Sequence, residues 1–204
     1  MRVLVTREEL VARVEALGHD AVLCELIRVE PLGDEPIDAR AYDWLVVTSR
    51  NGAHELARRG VTANRIAAIG PATAEALRSH GLRVDLVAAT HTQEGLREEL
   101  PEGTVLLAAA EGARRGVLDA DFLPLYRTIE LRPEVPEADL ALLMSGSAAR
   151  ALAAAGVHMR VVVIGPQTEA EARDVGLDVV SVAAVHDLDG LVEALRSLPW
   201  SSPS

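Results

Sequence analysis

The chain repeats itself, and that repetition restricts its fold more than any other feature. The segment from Asp43 matches the segment from Asp139 at a shift of 96 residues, with Ala53 on Ala149, Leu56 on Leu152 and Gly60 on Gly156. One residue then drops out, and at a shift of 95 the match runs through Ile69, Gly70, Pro71 and Thr73 against Ile164, Gly165, Pro166 and Thr168. It continues with Gly81-Leu82 on Gly176-Leu177 and ends with His91, Gly95, Leu96 and Leu100 on His186, Gly190, Leu191 and Leu195. A weaker match at a shift of 102 sets Val3-Leu4 on Val105-Leu106 and Pro31 on Pro133. Such a chain reads as two similar halves, each limiting what the other can be.

Within each half, short apolar runs alternate with amphipathic stretches. The runs are VLV at 3–5, WLVV at 44–47, IAAI at 66–69, VDLV at 84–87 and VLL at 105–107, and LALLM, VVVI and VVSV repeat them later. Between them lie EELVARVEAL, AEALRSH and QEGLREEL. Strands apolar at every position are buried on both faces, which predicts parallel sheets covered by helices on both sides. About ten strands are expected, and they divide more naturally into two sheets of about five than into one. RVEPLGDEP (28–36) and TIELRPEVP (128–136) hold equivalent places, carry prolines and read as interdomain connectors. Two connectors permit two topologies: each half folds by itself, or the chain crosses over and back so that the first two strands join the last three. The tail LPWSSPS reads as unstructured.

Composition narrows the function. The 20 basic residues, all Arg, face 31 acidic ones, and a net charge of −11 argues against a protein that neutralises nucleic-acid phosphates. Aromatics at 2% also leave few platforms for stacking bases. Cys24 stands alone, so no intramolecular disulfide forms and a reducing compartment is expected. No run approaches the roughly 18 apolar residues of a membrane span, and MRVLVTREEL is too short in apolar residues for a signal peptide. The expectation is a soluble, cytoplasmic protein.

Four turns between a strand and a helix are equipped for anions: Ser49-Arg50-Asn51-Gly52, Gly70-Pro71-Ala72-Thr73, Ser145-Gly146-Ser147 and Gly165-Pro166-Gln167-Thr168. Each sets small residues and a hydroxyl beside the free N–H groups of a first helical turn, a site for carboxylate or phosphate. The same residues also serve as ordinary helix caps. Tyr126, in PLYRT, is either a proton donor or an aromatic that ends a strand with a satisfied hydroxyl; a phenol with a pKa of about 10 is no base at neutral pH. Arg127 and Arg7 either clamp acidic groups or are solvated. His91 and His186 lack the carboxylate or Cys neighbours of a metal site, and the Arg pairs beginning at Arg58 and Arg114 read as solvent-facing. No P-loop, nucleophile elbow or CxxC motif is present.

Taken in order, VLVTR, DWLVVTSRNGAHEL, RIAAIGPATAEALRSHGLRVDLV, PLYRT and VVVIGPQTEAEARDVGLDVVSVAAVHDLDGLVEAL resemble the uroporphyrinogen-III synthase family over nearly the whole chain. The resemblance implies an α/β fold of two flavodoxin-like domains, each a doubly wound parallel sheet, joined by a two-stranded linker with the chain crossing over and back. Domain A then comprises residues 1–30 and 131–204, domain B is the inserted 31–130, and the active site lies in the cleft between them. The implied reaction is that of a lyase: hydroxymethylbilane, a linear tetrapyrrole, loses water and closes to uroporphyrinogen III with ring D inverted through a spiro intermediate. No metal or organic cofactor is implied, nor a nucleic-acid or membrane partner, and a monomer is expected.

Since the substrate is a polycarboxylate, helix starts suit it. The substrate-binding candidates are Arg7, Ser49, Asn51, Gly70, Thr73, Ser145, Ser147, Gly165 and Thr168, and the resemblance assigns Tyr126 to assisting departure of the hydroxyl. Where relatives often carry Pro-Arg, this chain has Ala108-Ala109, which leaves Arg114 or Arg115 as candidates for a carboxylate clamp. Two other readings stay open: a non-catalytic homologue that binds a tetrapyrrole or another polyanion, and a two-domain transferase acting on a sugar phosphate or nucleotide.

Overall fold

The computed structural model describes residues 1–199. The reading of the tail as unstructured falls, from Trp200 onward, outside the described residues. In chain order the elements begin with β1 (Arg2–Val5), a 3₁₀ turn leading into α1 (Val11–Glu15), β2 (Asp20–Leu23) and β3 (Ile27–Pro31). There follow β4 (Trp44–Val47), α2 (Arg50–Arg58), β5 (Ile66–Ala68), α3 (Pro71–Ser79), β6 (Leu86–Val87), α4 (Gln93–Glu99), β7 (Val105–Ala110) and β8 (Asp121–Glu130). The last are β9 (Leu140–Leu143), α5 (Gly146–Ala154), β10 (Arg160–Val163), α6 (Pro166–Asp174), β11 (Asp178–Val182) and α7 (Leu188–Arg196).

The chain divides into two compact units. Unit 1 is Met1–Arg28 together with the chain from Ile129 onward, and unit 2 is Val29–Thr128. The sheet of unit 1 has the order β11-β10-β9-β1-β2, with every neighbouring pair parallel. In its own chain order this is 2-1-3-4-5, the flavodoxin-like arrangement. The sheet of unit 2 has the order β3-β8-β7-β4-β5-β6 and contains six strands, not the expected five. The addition is β3: the first connector is itself a strand, hydrogen-bonded to β8. Leu131 N–H donates to the Leu26 carbonyl at 2.9 Å and Leu32 N–H to the Leu125 carbonyl at 2.8 Å.

The repeat decides strand position in both sheets. Residue matching pairs β4 with β9, β5 with β10, β6 with β11 and β7 with β1, and these partners hold the same places in the two sheets. Apart from the added β3, the point at which the chain enters is what differs in strand order, so unit 2 is a circular permutation of unit 1.

Apolar runs without alternation are explained by cover on both faces. In β9, Leu140 and Leu142 face a core with Leu10, Val14 and Leu191, from the α1 and α7 side. Ala141 and Leu143 face the other core with Ala148, Leu152 and Ala172, from α5 and α6. In β4, Leu45 and Val47 meet Ala53, Leu56 and Leu77, whereas Trp44 and Val46 meet Leu96. Each fully buried leucine contributes about 1.5–3 kcal/mol, so each sheet is held from both sides. Among the described residues no helix is long and apolar enough to cross a membrane.

The repeated Gly95 and Gly190 mark a tight approach of loop to helix. Their N–H groups donate to the capping Thr92 Oγ1 at 3.1 Å and Asp187 Oδ1 at 2.7 Å. A Cβ on Gly95 would lie 2.2 Å from the Thr90 carbonyl oxygen, and one on Gly190 would lie 2.0 Å from that of Val185. Gly190→Ala should therefore destabilise the protein by about 1–3 kcal/mol through overpacking, although the same change in an open helix stabilises it by roughly 1 kcal/mol. Urea denaturation distinguishes the two signs.

Candidate functional site

In a parallel sheet every strand ends on the same edge, so the helix starts that follow are gathered there. Strand order reverses between β1 and β9 in unit 1 and between β4 and β7 in unit 2. The residues beyond these strands are therefore the first place to look within each unit.

In unit 2, β4 runs into Ser49, whose extended backbone and Oγ, accepting from Gly52 N–H at 3.0 Å, cap α2. Tyr126 reaches the same hydroxyl from β8, with its Oη 2.9 Å from Ser49 Oγ. A bulge directs it there. The register passes from Ala109 opposite Pro124 to Ala110 opposite Tyr126, so Leu125 is an extra residue and both Leu125 and Tyr126 turn into the core. Bulges re-aim side chains in this way. Burial pushes the Tyr126 phenol above its ordinary pKa, and hydrogen bonds from Ser49 and Asn51 offset this only in part. The group is a neutral donor at any physiological pH.

One strand further on, the starts of α3 and α6 lack any side-chain cap. Both begin with the repeated Gly-Pro turn, where Gly70 and Gly165 have extended backbones and Pro supplies the first helical residue. Thr73 and Thr168 are each 5% exposed, and they and Gln93 are the buried polar side chains of the described residues. Neither hydroxyl forms a hydrogen bond among the described residues, and the buried unpaired side-chain atoms there are Trp44 Nε1 and Gln93 Oε1, so each threonine oxygen keeps an open side. The rings of His91 and His186 lie over the glycines of these turns, within 3.0 and 3.1 Å of where a Cβ on Gly70 or Gly165 would stand. The sequence favours these histidines as loop residues beside helix caps over metal ligands, and their repetition at the same shift as the Gly-Pro turns is the signal for this packing.

Unit 1 treats its first helix start differently. Ser145 Oγ caps α5 by accepting from Ala148 N–H at 3.2 Å. Ser147 Oγ accepts from Arg150 Nη2 at 3.0 Å, and Arg150 also pairs with Glu130 at 2.7 Å and Glu171 at 3.0 Å. The Glu171 side chain lies against Gly146, so a carboxylate of the protein's own already stands at this helix start. Arg7 is exposed just before the 3₁₀ turn, and Arg127 is exposed next to Tyr126.

Arg58, Arg114 and Arg115 are exposed, in line with their reading as solvent-facing, and Arg59 is half-buried, but all four also have partners. Arg58 bonds the Gly33 carbonyl and Asp34, both at 2.7 Å, and Arg59 bonds the carbonyls of Leu32 and Glu35 at 3.1 and 2.7 Å. Together they bind the segment after β3 to α2. Arg114 pairs with Glu94 at 2.5 Å, and Arg115 lies 4.0 Å over the Phe122 ring. Ala108 and Ala109 are buried inside β7.

Fold and site define a class: a duplicated, doubly wound α/β protein with polar side chains at the carboxyl ends of its strands. The family model described as Uroporphyrinogen-III synthase HemD matches residues 8–193, and the chain belongs to that family. A protein of Archaeoglobus fulgidus, provisionally named a uroporphyrinogen-III synthase, is 29% identical over 230 aligned positions covering 97% of this chain and 99% of that one. A crystal structure of a substituted uroporphyrinogen III synthase from Thermus thermophilus superposes with a TM-score of 0.66. It is 16% identical and the match covers 96% of this chain and 97% of that one, which establishes the shared fold.

The raised phenol has a consequence at alkaline pH. Below about 10 a tyrosine is neutral in both the folded and the unfolded chain, and its effect on stability is level. Above that value the unfolded chain ionises first, so stability should fall by up to about 1.4 kcal/mol per pH unit as pH rises toward the native value. Tyr42, donating to Asp121 at 2.7 Å, is also raised. Ultraviolet titration should show both tyrosines ionising late, and Tyr126→Phe should remove one step and flatten the alkaline decline.

Proposed function

We propose that this chain converts hydroxymethylbilane to uroporphyrinogen III, with loss of water and inversion of ring D. Membership of the uroporphyrinogen-III synthase family supports the substrate class, and the observation that carries the reading is the buried, neutral Tyr126 phenol bonded to Ser49 at the start of α2. A hydroxyl leaves carbon readily only when it leaves as water. Tyr126, with its proton retained by burial, donates toward the departing oxygen. The C–O bond breaks, and the ring D carbon that already carries the chain attacks the freed ring A methylene to form a spiro centre. Its older bond to the ring C methylene then breaks, that methylene bonds to the unsubstituted α-carbon of ring D, and the proton this last carbon loses restores the phenol. Ser49 and Asn51 steady the phenolate formed in between.

The carboxylates of the substrate are taken by backbone N–H groups at helix starts, with Thr73 and Thr168 as hydroxyl donors. A net charge of −11 supplies no long-range attraction for such a substrate. Binding therefore rests on these local donors. Much of the remaining catalysis is positional, since unassisted closure yields the uninverted isomer.

Hydroxymethylbilane generated in situ, followed by oxidation and separation of type I from type III porphyrin, tests the proposal. An excess of type III is expected only when the protein is present; a product mixture indifferent to it would sink the assignment. Tyr126→Phe should lower kcat by about 100-fold, within the range for one general acid, with KM little changed. Thr73→Val should act mainly on KM.

A further inference from the structure

Two imidazoles meet on the α2–α3 face of unit 2. His54 of α2 and His80, which ends α3, bring Nδ1 and Nε2 to 2.7 Å, with ring centroids 4.9 Å apart and planes crossing at 82°. Both residues are exposed. The duplication provides an internal control. At the equivalent positions unit 1 carries Arg150 and Val175, and α5 and α6 pack there without imidazoles. The pair is thus an addition peculiar to unit 2 that helix packing does not require.

We propose that His54 and His80 form a two-imidazole site for a divalent cation of tetragonal preference, Cu²⁺ before Ni²⁺ and Zn²⁺. Metal–imidazole bonds of about 2.0–2.1 Å place two nitrogens about 2.9 Å apart when they meet the ion at a right angle, and about 3.3 Å apart at a tetrahedral angle. The observed 2.7 Å is close to the first separation. Imidazole suits Cu, Ni and Zn, whereas Mg²⁺ and Ca²⁺ select oxygen. To open both lone pairs, the proton shared by the facing nitrogens moves to the far nitrogen of its own ring. Among the described residues no group of three or more His, Cys, Asp or Glu gathers for a metal, so water fills the other coordination positions. The acidic surface raises the local concentration of cations.

Titration of the untagged, full-length chain with CuCl₂, followed by electron paramagnetic resonance and thermal melting, tests this. The expected result is nitrogen hyperfine structure from two equatorial imidazoles together with a raised Tm, and no stabilisation by MgCl₂. The double variant His54→Arg, His80→Val installs the pair that unit 1 already tolerates. It should lose the two-nitrogen spectrum and bind Cu²⁺ more weakly by more than the about 10–100-fold that loss of an outer-shell partner costs. His80→Gln, a single exposed change, should leave a one-nitrogen spectrum, and His158→Gln should alter nothing. A wild-type spectrum without two imidazoles, or a folded double variant that keeps the wild-type affinity, would overturn the proposal.

Discussion

Burial of each parallel sheet on both faces is the constraint on which the rest of this structure depends. Leu140 and Leu142 in β9 point to one core while Ala141 and Leu143 point to the other, and β4 divides its side chains in the same way. A sheet in that position needs a helix between successive parallel strands, so every strand end feeds a helix start. Unsatisfied N–H groups then line one edge of each unit. The chemistry of the protein is placed there by packing before any side chain is chosen for function.

What the two units do with those helix starts differs, and the differences are local. Ser49 and Ser145 each satisfy one N–H of their own helix, as ordinary caps do. The Gly-Pro starts of α3 and α6 keep theirs open, with a buried threonine beside them. In unit 2 the capping serine also holds a buried phenol, whereas in unit 1 its neighbour Ser147 is held by Arg150 and the helix start is crowded by Glu171. An ancestral repeat has therefore kept its backbone frame while its polar contents diverged. The sequence repeat persists at Gly95 and Gly190 because the loop carbonyl leaves no room for a Cβ.

Much of the frame was legible without coordinates, though not all of it. The continuous apolar runs marked the strands, and Gly-Pro-x-Thr marked two helix starts. The first connector read as extended, but its pairing with β8 followed only from the resemblance and its two-stranded linker, because edge pairing depends on a partner roughly 90 residues away. Ser49 and Tyr126 were each noticeable alone, yet 77 residues separate them and only a bulge in β8 turns the phenol toward the hydroxyl. Arg59 read as solvated because its partners are the backbone carbonyls of Leu32 and Glu35, which leave no trace in composition.

By itself the sequence determined what is local or repeated: two similar halves, the order of strands and helices, the residues that open each helix, and a charge unfit for nucleic acid. These follow from periodicity and turn chemistry, which act over a few neighbouring residues. Spacing left open whether β1 and β2 join β9 to β11, which the resemblance implied and the structure shows, and tertiary structure alone decided that Tyr126 meets Ser49 and that His54 faces His80. Such choices turn on burial and geometry between distant segments. Closing a longer loop adds little entropy cost beyond a shorter one, so sequence distance does not choose among them.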